Sequence, residues 1–119
     1  MAQHNEFGKK GEELAVRFLE KTGYTVLERN YHFQKAELDI IALKDEVLAV
    51  VEVKARSENA LTAPEDAITP KKIKLLTAAT DAYILRNDMD VEVRFDIISV
   101  TSAKGRYEIV HTEDAFYHF

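Results

Sequence analysis

One segment, residues 39–54, constrains the fold of this chain more than any other. Its second half, Val47 to Lys54, is almost wholly apolar until it reaches Glu52, and a polar turn at residues 44–46 precedes it. A continuous run of aliphatic residues of this length is typical of a strand that is buried on both faces. The segment therefore predicts a β-hairpin whose second strand lies at the centre of a sheet.

Charged side chains gather at the end of this hairpin. Because side chains alternate along a strand, Glu52 and Lys54 project from one face, and Asp39 belongs to the neighbouring strand. Buried charges are costly unless they are paired or bound to a cation. Carboxylate oxygens suit Mg²⁺, and an adjacent lysine suits a phosphate and an activated water. The combination indicates metal-assisted hydrolysis of a phosphodiester bond.

Length and composition place further bounds on the chain. A chain of 119 residues is expected to form a single domain, residues 1–119, around one hydrophobic core. The absence of cysteine excludes disulfides and thiolate metal sites, and it fits a reducing compartment. Residues 1–6 carry no apolar segment, and no apolar run approaches the roughly 18 residues that span a membrane. We therefore expect a cytoplasmic protein without a membrane partner.

The net charge of −5 argues mildly against nucleic-acid binding, because phosphate contacts supply most of the affinity in such complexes. The distribution of charge weakens this objection. Residues 54–74 contain three acidic residues, Glu58, Glu65 and Asp66, and five basic ones, Lys54, Arg56, Lys71, Lys72 and Lys74. Net charge alone leaves the question open.

Hydrophobic periodicity predicts an α/β fold in the order α-β-β-β-α-β-β. Thr69 and Pro70 form a good helix start, with Thr as the N-cap and Pro at the first helical position. The segment 56–68 is polar and is predicted to be a mobile loop. The predicted helices span residues 6–22 and 70–86, and the predicted strands span 24–31, 37–43, 47–54, 91–101 and 106–111.

This order, with Asp39 and Glu52-x-Lys54 on adjacent strands, resembles the PD-(D/E)xK nuclease superfamily. A set of motifs over roughly residues 7 to 101 is similar, more closely, to the YraN-like family of small bacterial proteins. The motifs are GKKGE at 8–12, GY at 23–24, RN at 29–30, ELDIIA at 37–42, VEVKAR at 51–56 and RFD at 94–96. Two positions depart from the family pattern. Ala36 replaces a usual glycine, and His32 replaces a common basic residue.

The resemblance implies a restriction-endonuclease-like mixed sheet flanked by helices, akin to Holliday junction resolvases. It also implies Mg²⁺ or Mn²⁺ as cofactor and DNA, in particular branched DNA, as substrate. A four-way junction is symmetric, which would suit a weak homodimer. The aromatic tail 116–119 would provide its contact, and the alternative is that this tail covers the core of its own domain.

Asp39 and Glu52 are the predicted metal ligands, and Lys54 is predicted to orient or deprotonate the attacking water. The alternatives are solvated carboxylates at strand ends and a structural ion pair for the lysine. Glu12 matches an acidic position on the first helix of superfamily members and borders the buried side of that helix. It is predicted as a further ligand or water-holder, and its alternative is a carboxylate that satisfies the helix dipole.

Lys72 and Arg56 are the predicted phosphate contacts, and each has a solvated surface charge as its alternative. Lys71 and Lys74 are expected on a solvated helix face, and the four histidines at the surface. Glu37 is expected either behind the metal ligands or in a cross-strand pair, and Asp96 in a local pair that supports the sheet. Residues 8–11 lack the full phosphate-loop pattern, and close packing near the helix start explains their glycines better.

Two classes of function follow. The leading hypothesis is a Mg²⁺-dependent endonuclease with Asp39, Glu52, Lys54 and Glu12 as its catalytic residues. The second is a nucleic-acid-binding or adaptor protein in DNA repair or uptake with little hydrolytic activity of its own. A third possibility is a partner protein in DNA uptake or repair whose activity appears only in a complex.

Overall fold

A computed structural model describes residues 2–57 and 68–116, with side chains from residue 7 onward. In this part of the chain the elements follow the predicted order α-β-β-β-α-β-β and form the predicted mixed sheet flanked by helices. They are α1 (Ala2–Lys21), β1 (Thr25–Phe33), β2 (Ala36–Lys44), β3 (Val47–Ser57), α2 (Pro70–Arg86), β4 (Glu92–Ala103) and β5 (Arg106–Thr112).

The sheet has the strand order β1-β2-β3-β4-β5, with β3 at its centre as predicted. The first three strands form an antiparallel meander, and β4 and β5 form a second antiparallel pair. β3 and β4 are parallel, which requires a long crossover. α2 lies within that crossover, so the chemistry of its first turn is brought beside the end of β3.

The two helices cover opposite faces of the sheet. α1 packs through Leu19 and its neighbours against a cluster that includes Val51. α2 packs through Leu76 against a cluster that includes Val50 and Phe95. Adjacent residues of β3 therefore enter two different cores, which explains why this strand is apolar at nearly every position.

Several boundaries differ from the prediction. β3 continues to Ser57, three residues past the predicted end, because it pairs with β4 along its whole length. Arg56 is therefore a half-buried strand residue and not part of a loop. The helix α1 begins at Ala2, before the predicted start at residue 6. Residues 58–67, where most of the predicted mobile loop falls, lie outside the described residues.

The start of α2 agrees with the sequence. Thr69 has an extended conformation, and its side chain accepts a hydrogen bond of 3.1 Å from the backbone N–H of Lys72.

Near the C-terminal end of the chain, the ring of Phe116 packs against that of Phe95, with 5.3 Å between the ring centroids. The first residue of the aromatic tail therefore covers its own domain. Residues 117–119, the rest of the predicted dimer contact, lie outside the described residues. No helix in the described part has the length and apolarity needed to cross a membrane.

Gly11 brings α1 into close contact with β3. A Cβ at this position would lie 2.8 Å from the Cβ of Ala55, closer than real side chains approach, whereas a Cβ at Gly8 would meet nothing within 4 Å. The close packing predicted for these glycines is thus confirmed at Gly11 and not at Gly8. We expect Gly11→Ala to lower the free energy of unfolding by about 1–3 kcal/mol, the usual cost of overpacking.

Gly8→Ala is the matched control, because it gives the same helix the same methyl group in open space. It should raise the free energy of unfolding by up to about 1 kcal/mol, the helix propensity difference between the two residues. Urea unfolding of both variants measures the effect. Equal stabilisation by the two substitutions would show that α1 does not press on β3 at this point.

Candidate active site

The proposed site lies where β2 and β3 separate. Their ladder runs from the pair Lys44–Val47 to the pair Ile40–Val51 and ends there. The next two opposed positions would be Asp39 and Glu52. Instead of continuing the ladder, the backbone N–H of Val53 donates a 2.9 Å hydrogen bond to Oδ2 of Asp39. The Asp39 carboxylate thus replaces a backbone carbonyl and is fixed against β3.

An irregularity in the hairpin accompanies this contact. Leu38 packs in the core on the α2 side, whereas Ile40, two residues along the same strand, packs in the core on the α1 side. Side chains two apart normally share a face, so the alternation changes phase at Asp39. On β1 the opposing position is Asn30, which has a φ of +52°. Hydrophobic alternation in the sequence does not reveal such a change of phase.

Glu52 is the most deeply buried acid of the site, with 3% of its side chain exposed. Its Oε1 lies 3.0 Å from Nζ of Lys72, on the first turn of α2. Its Oε2 is buried and accepts no hydrogen bond within the described residues. A buried carboxylate oxygen without a donor is rare in folded proteins, and an ordered water or a bound cation would satisfy this atom.

The electrostatics of the pair favour a bound cation. Burial, and then the nearby negative charge of Asp39, raise the pKa of Glu52, and Lys72 and a hydrogen bond from the backbone of Asp39 oppose them. Burial also raises the pKa of Asp39, against the hydrogen bond from Val53 and the charge of Lys72. Burial therefore disfavours the charged form of both carboxylates despite the nearby lysines. A divalent cation would restore the balance by stabilising both charged forms.

A cleft of about 370 Å³ opens above the two carboxylates. Its wall carries Lys54, from the same strand face as Glu52, and Lys72 from α2, as the sequence predicted for the site. It also carries Lys35, from the turn between β1 and β2, and Lys71, which sequence reasoning assigned to a solvated face. Lys71 is exposed, and it nevertheless borders the cleft. Four lysines therefore surround the acidic floor, a pattern that suits a phosphate-bearing ligand.

The donor set fits a magnesium-like ion in part. Asp39 and Glu52 offer hard oxygen ligands, and Mg²⁺ retains several waters when proteins bind it through one or two carboxylates. Across the described residues, however, no group of three or more His, Asp or Glu side chains is arranged to hold a metal ion. The site is thus a two-carboxylate site in which the remaining ligands would be water, backbone or phosphate oxygen.

The other predicted residues lie at different distances from this centre. Glu12 on α1 does not line the cleft, but the charge of Asp39 affects its pKa. Burial and the negative charge of Asp39 raise its pKa, and a hydrogen bond from the Asn30 side chain opposes them. Its role as ligand or water-holder stays a prediction.

Two other predicted residues lie outside the centre of the site. Arg56 lies two residues beyond Lys54 on β3 and does not line the cleft. Glu37 is at the rim, with its Oε2 at 3.3 Å from Nε2 of His32.

Comparison with known proteins decides the family. The model of the uncharacterised protein family UPF0102 matches residues 11–100. The chain belongs to the UPF0102 family. It is 53% identical to a UPF0102 protein of Flavobacterium psychrophilum over the full length of both chains. It is 49% identical to one of Phocaeicola vulgatus and 47% identical to one of Bacteroides thetaiotaomicron, in each case over 98% of this chain and 97% of the relative.

UPF0102 is the YraN family, so the match confirms the resemblance drawn from the motifs. The matched span contains both carboxylates, Lys54 and Lys72. The names of the relatives state no activity, and the chemistry of the site therefore has to follow from its residues.

A second polar cluster of this UPF0102 chain lies on the α1 side of the sheet, around Asp96. This carboxylate is fully buried and accepts hydrogen bonds of 2.9 Å from Nε and from an amino group of Arg94, and one of 3.0 Å from the backbone N–H of Asp114. Arg94 also donates to the hydroxyl of Tyr24. The local pair predicted for Asp96 is confirmed.

The prediction that all histidines lie at the surface is wrong for His111. Its Nε2 lies 2.8 Å from Oδ2 of Asp96, and its side chain is 10% exposed. Its ring packs against Phe18 and Tyr24 at about 6 Å between centroids. The burial of His111 could have been inferred from its position along the strand. His111 is on β5, in register with Ile98 of β4, so its side chain faces the same side as that buried residue.

Proposed function

We propose that this protein is a divalent-metal-dependent nuclease that hydrolyses phosphodiester bonds in DNA. One observation carries the proposal. The carboxylate of Glu52 is buried beside Asp39 with one oxygen that has no hydrogen-bond donor within the described residues, at the floor of a cleft lined by four lysines. A cation would supply the partner that this oxygen lacks. A phosphate would supply negative charge for the lysines.

Each residue of the site has a place in such a reaction. Asp39 and Glu52 would hold Mg²⁺ or Mn²⁺, which would polarise a water and neutralise phosphate charge. Lys54 would orient the attacking water and stabilise the charge that develops on the phosphate. The water oxygen would bond to phosphorus and lose its proton to bulk water, the bond from phosphorus to the leaving oxygen would break, and that oxygen would take a proton from bulk water. Lys35 and Lys71, at the rim, would bind the flanking phosphates.

A cleavage assay tests the proposal. We expect Mg²⁺- or Mn²⁺-dependent cutting of DNA, with a four-way junction preferred over duplex and single-stranded substrates because of the resolvase resemblance. EDTA should abolish cleavage. Asp39→Asn should do so too, while keeping the fold, because the amide oxygen can still accept the hydrogen bond from Val53 but carries no charge for the cation.

Absence of cleavage on all three substrates with either ion, and with cell extract added, would contradict the nuclease proposal. Cleavage that appears only with extract would instead identify a protein that needs a partner. Cleavage that survives in Asp39→Asn would place the chemistry elsewhere.

The second candidate is a DNA-binding or adaptor protein with little hydrolysis of its own. Two observations favour it. Lys72 already pairs with Glu52, and the described residues hold no three-ligand cluster. On this alternative the lysines of the cleft bind DNA without metal. A gel-shift titration in EDTA, combined with the cleavage assay, separates the two, because the adaptor should bind in EDTA and remain inactive when Mn²⁺ is added.

A further inference from the structure

The ion pair between Lys72 and Glu52 lies inside the proposed metal site. We propose that Lys72 is the built-in counter-ion of the metal-free site, and that a divalent cation displaces it from Glu52 toward the substrate phosphate. This inference rests on the proposed function and adds a second role for Lys72. The residue would set the affinity for the cation in addition to contacting DNA.

The burial of the two partners shows which of them moves. The side chain of Glu52 is 3% exposed and is held among core residues, whereas that of Lys72 is 44% exposed. Lysine also has a flexible four-carbon stem with a strongly hydrated head, so it can leave the contact without unpacking the core. Replacement of Lys72 by the divalent cation at Glu52 would therefore require only the Lys72 side chain to move.

The backbone of Lys72 is fixed, whereas its half-exposed side chain can change rotamer once it leaves Glu52. Its N–H donates to the hydroxyl of Thr69, the N-cap of α2, at 3.1 Å. The side chain lies in the wall of the cleft together with Lys71 and Lys54. When it leaves Glu52 it stays in the same cleft, where a phosphate of the substrate would be its nearest source of negative charge.

Competition for Glu52 has a thermodynamic consequence. Because Lys72 and the cation share one carboxylate, each weakens the binding of the other. A phosphate that holds Lys72 away from Glu52 would strengthen cation binding, and by linkage the cation would strengthen phosphate binding to the same degree. The site would thus bind the cation measurably on its own and more tightly when the substrate is present.

Two substitutions distinguish the effect of the Lys72–Glu52 ion pair from the effect of positive charge in the cleft wall. Lys72→Met removes the ion pair and keeps the apolar stem. Lys71→Met removes the same charge from the same wall but leaves the pair intact. Parent and variants are titrated with Mn²⁺ by calorimetry at pH 8 without DNA, and the metal-free proteins are unfolded by heat.

We expect Lys72→Met to bind Mn²⁺ at least about tenfold more tightly than the parent, less than the full effect of a close charge contact because Lys72 is half exposed. Lys71→Met should stay within about twofold, because its charge is exposed and screened. Metal-free Lys72→Met should unfold at a lower temperature than Lys71→Met, and saturating Mn²⁺ should remove that difference. Lys72→Gln, which keeps a donor for Glu52 without the charge, should behave in the same way and is the substitute if Lys72→Met does not fold.

The outcomes distinguish this inference from the function on which it rests. Equal affinity changes in the two lysine variants, or weaker binding by Lys72→Met, would overturn the counter-ion role and leave the metal site standing. A parent protein that binds no Mn²⁺ would overturn both.

Discussion

Replacement of Glu52 by Gln is expected to abolish divalent-metal binding and cleavage while the protein stays folded. The substitution keeps the volume of the side chain but removes a charge from a site with two carboxylate ligands, and Mg²⁺ has few protein ligands to spare there. The fold should tolerate the change, because burial already raises the pKa of Glu52 and so disfavours its charged form.

Two controls sharpen this test. Glu37→Gln removes the same charge from the rim of the cleft, where the carboxylate is exposed, and should lower Mn²⁺ affinity only slightly. Lys54→Ala should retain or strengthen Mn²⁺ binding but lose about 10²-fold or more in cleavage, the usual scale for loss of a group that stabilises charge in the transition state. Calorimetric titration and a cleavage assay on the same preparations measure both properties. If Glu52→Gln binds Mn²⁺ as well as the parent and none of the variants changes cleavage, the hairpin is purely structural.

Asp96→Asn is expected to lower the free energy of unfolding by about 3–5 kcal/mol, the scale seen when one partner of a buried ion pair is removed. The carboxylate is fully buried and accepts from Arg94, from the backbone of Asp114 and, when its Nε2 carries the proton, from His111. An asparagine has no charge to balance Arg94, and its amide nitrogen would face one of these donors. Chemical denaturation with circular dichroism measures the loss.

Glu113→Gln is the matched control for this cluster. Glu113 also pairs with Arg94, but at 3.7 Å and with 60% of its side chain exposed. Its removal should cost no more than about 1 kcal/mol, as is usual for surface ion pairs. Similar losses in the two variants would show that the Asp96 cluster does not support the fold in the way its geometry indicates.

The same cluster predicts a pH dependence. Burial alone would raise the pKa of Asp96, but hydrogen bonds from His111, Arg94 and the backbone of Asp114 outweigh it and lower the pKa below the usual range. A carboxylate with a lowered pKa stabilises the folded state above its unfolded pKa of about 3.9 and loses this contribution as the pH falls. The parent should therefore lose stability on acidification below about pH 5 in a way that Asp96→Asn does not.

The fold was predictable because its signals are local. The apolar run at 47–51 indicated the central strand, and Thr69 with Pro70 indicated the start of α2. The extension of β3 to Ser57 was not predictable, since residues 54–57 are polar except for Ala55 and are held as a strand by their pairing with β4. Pairing between distant segments leaves no periodic pattern in either of them.

The candidate site was predictable only in part, for a similar reason. Motif and alternation brought Asp39, Glu52 and Lys54 together, but the phase change at Asp39 depends on backbone geometry that alternation does not encode. Lys35 lies in the cleft wall because the turn between β1 and β2 borders it, and Lys71 because α2 begins there. Both look like ordinary surface lysines in the sequence. His111 was misplaced because its partner, Asp96, lies on another strand.

The crossover between β3 and β4 also has a consequence for the order in which the molecule assembles. The two carboxylates are brought together by a hairpin whose contacts are close in sequence, and such contacts form early. Their lysine counter-ion arrives with α2, which docks as the chain closes the much longer loop to β4. Until then the acidic pair lacks the charge of Lys72, which leaves Lys54 and the N–H of Val53 to oppose its repulsion. We therefore expect repulsion between the two carboxylates to slow folding, and we expect ions that screen it to speed folding.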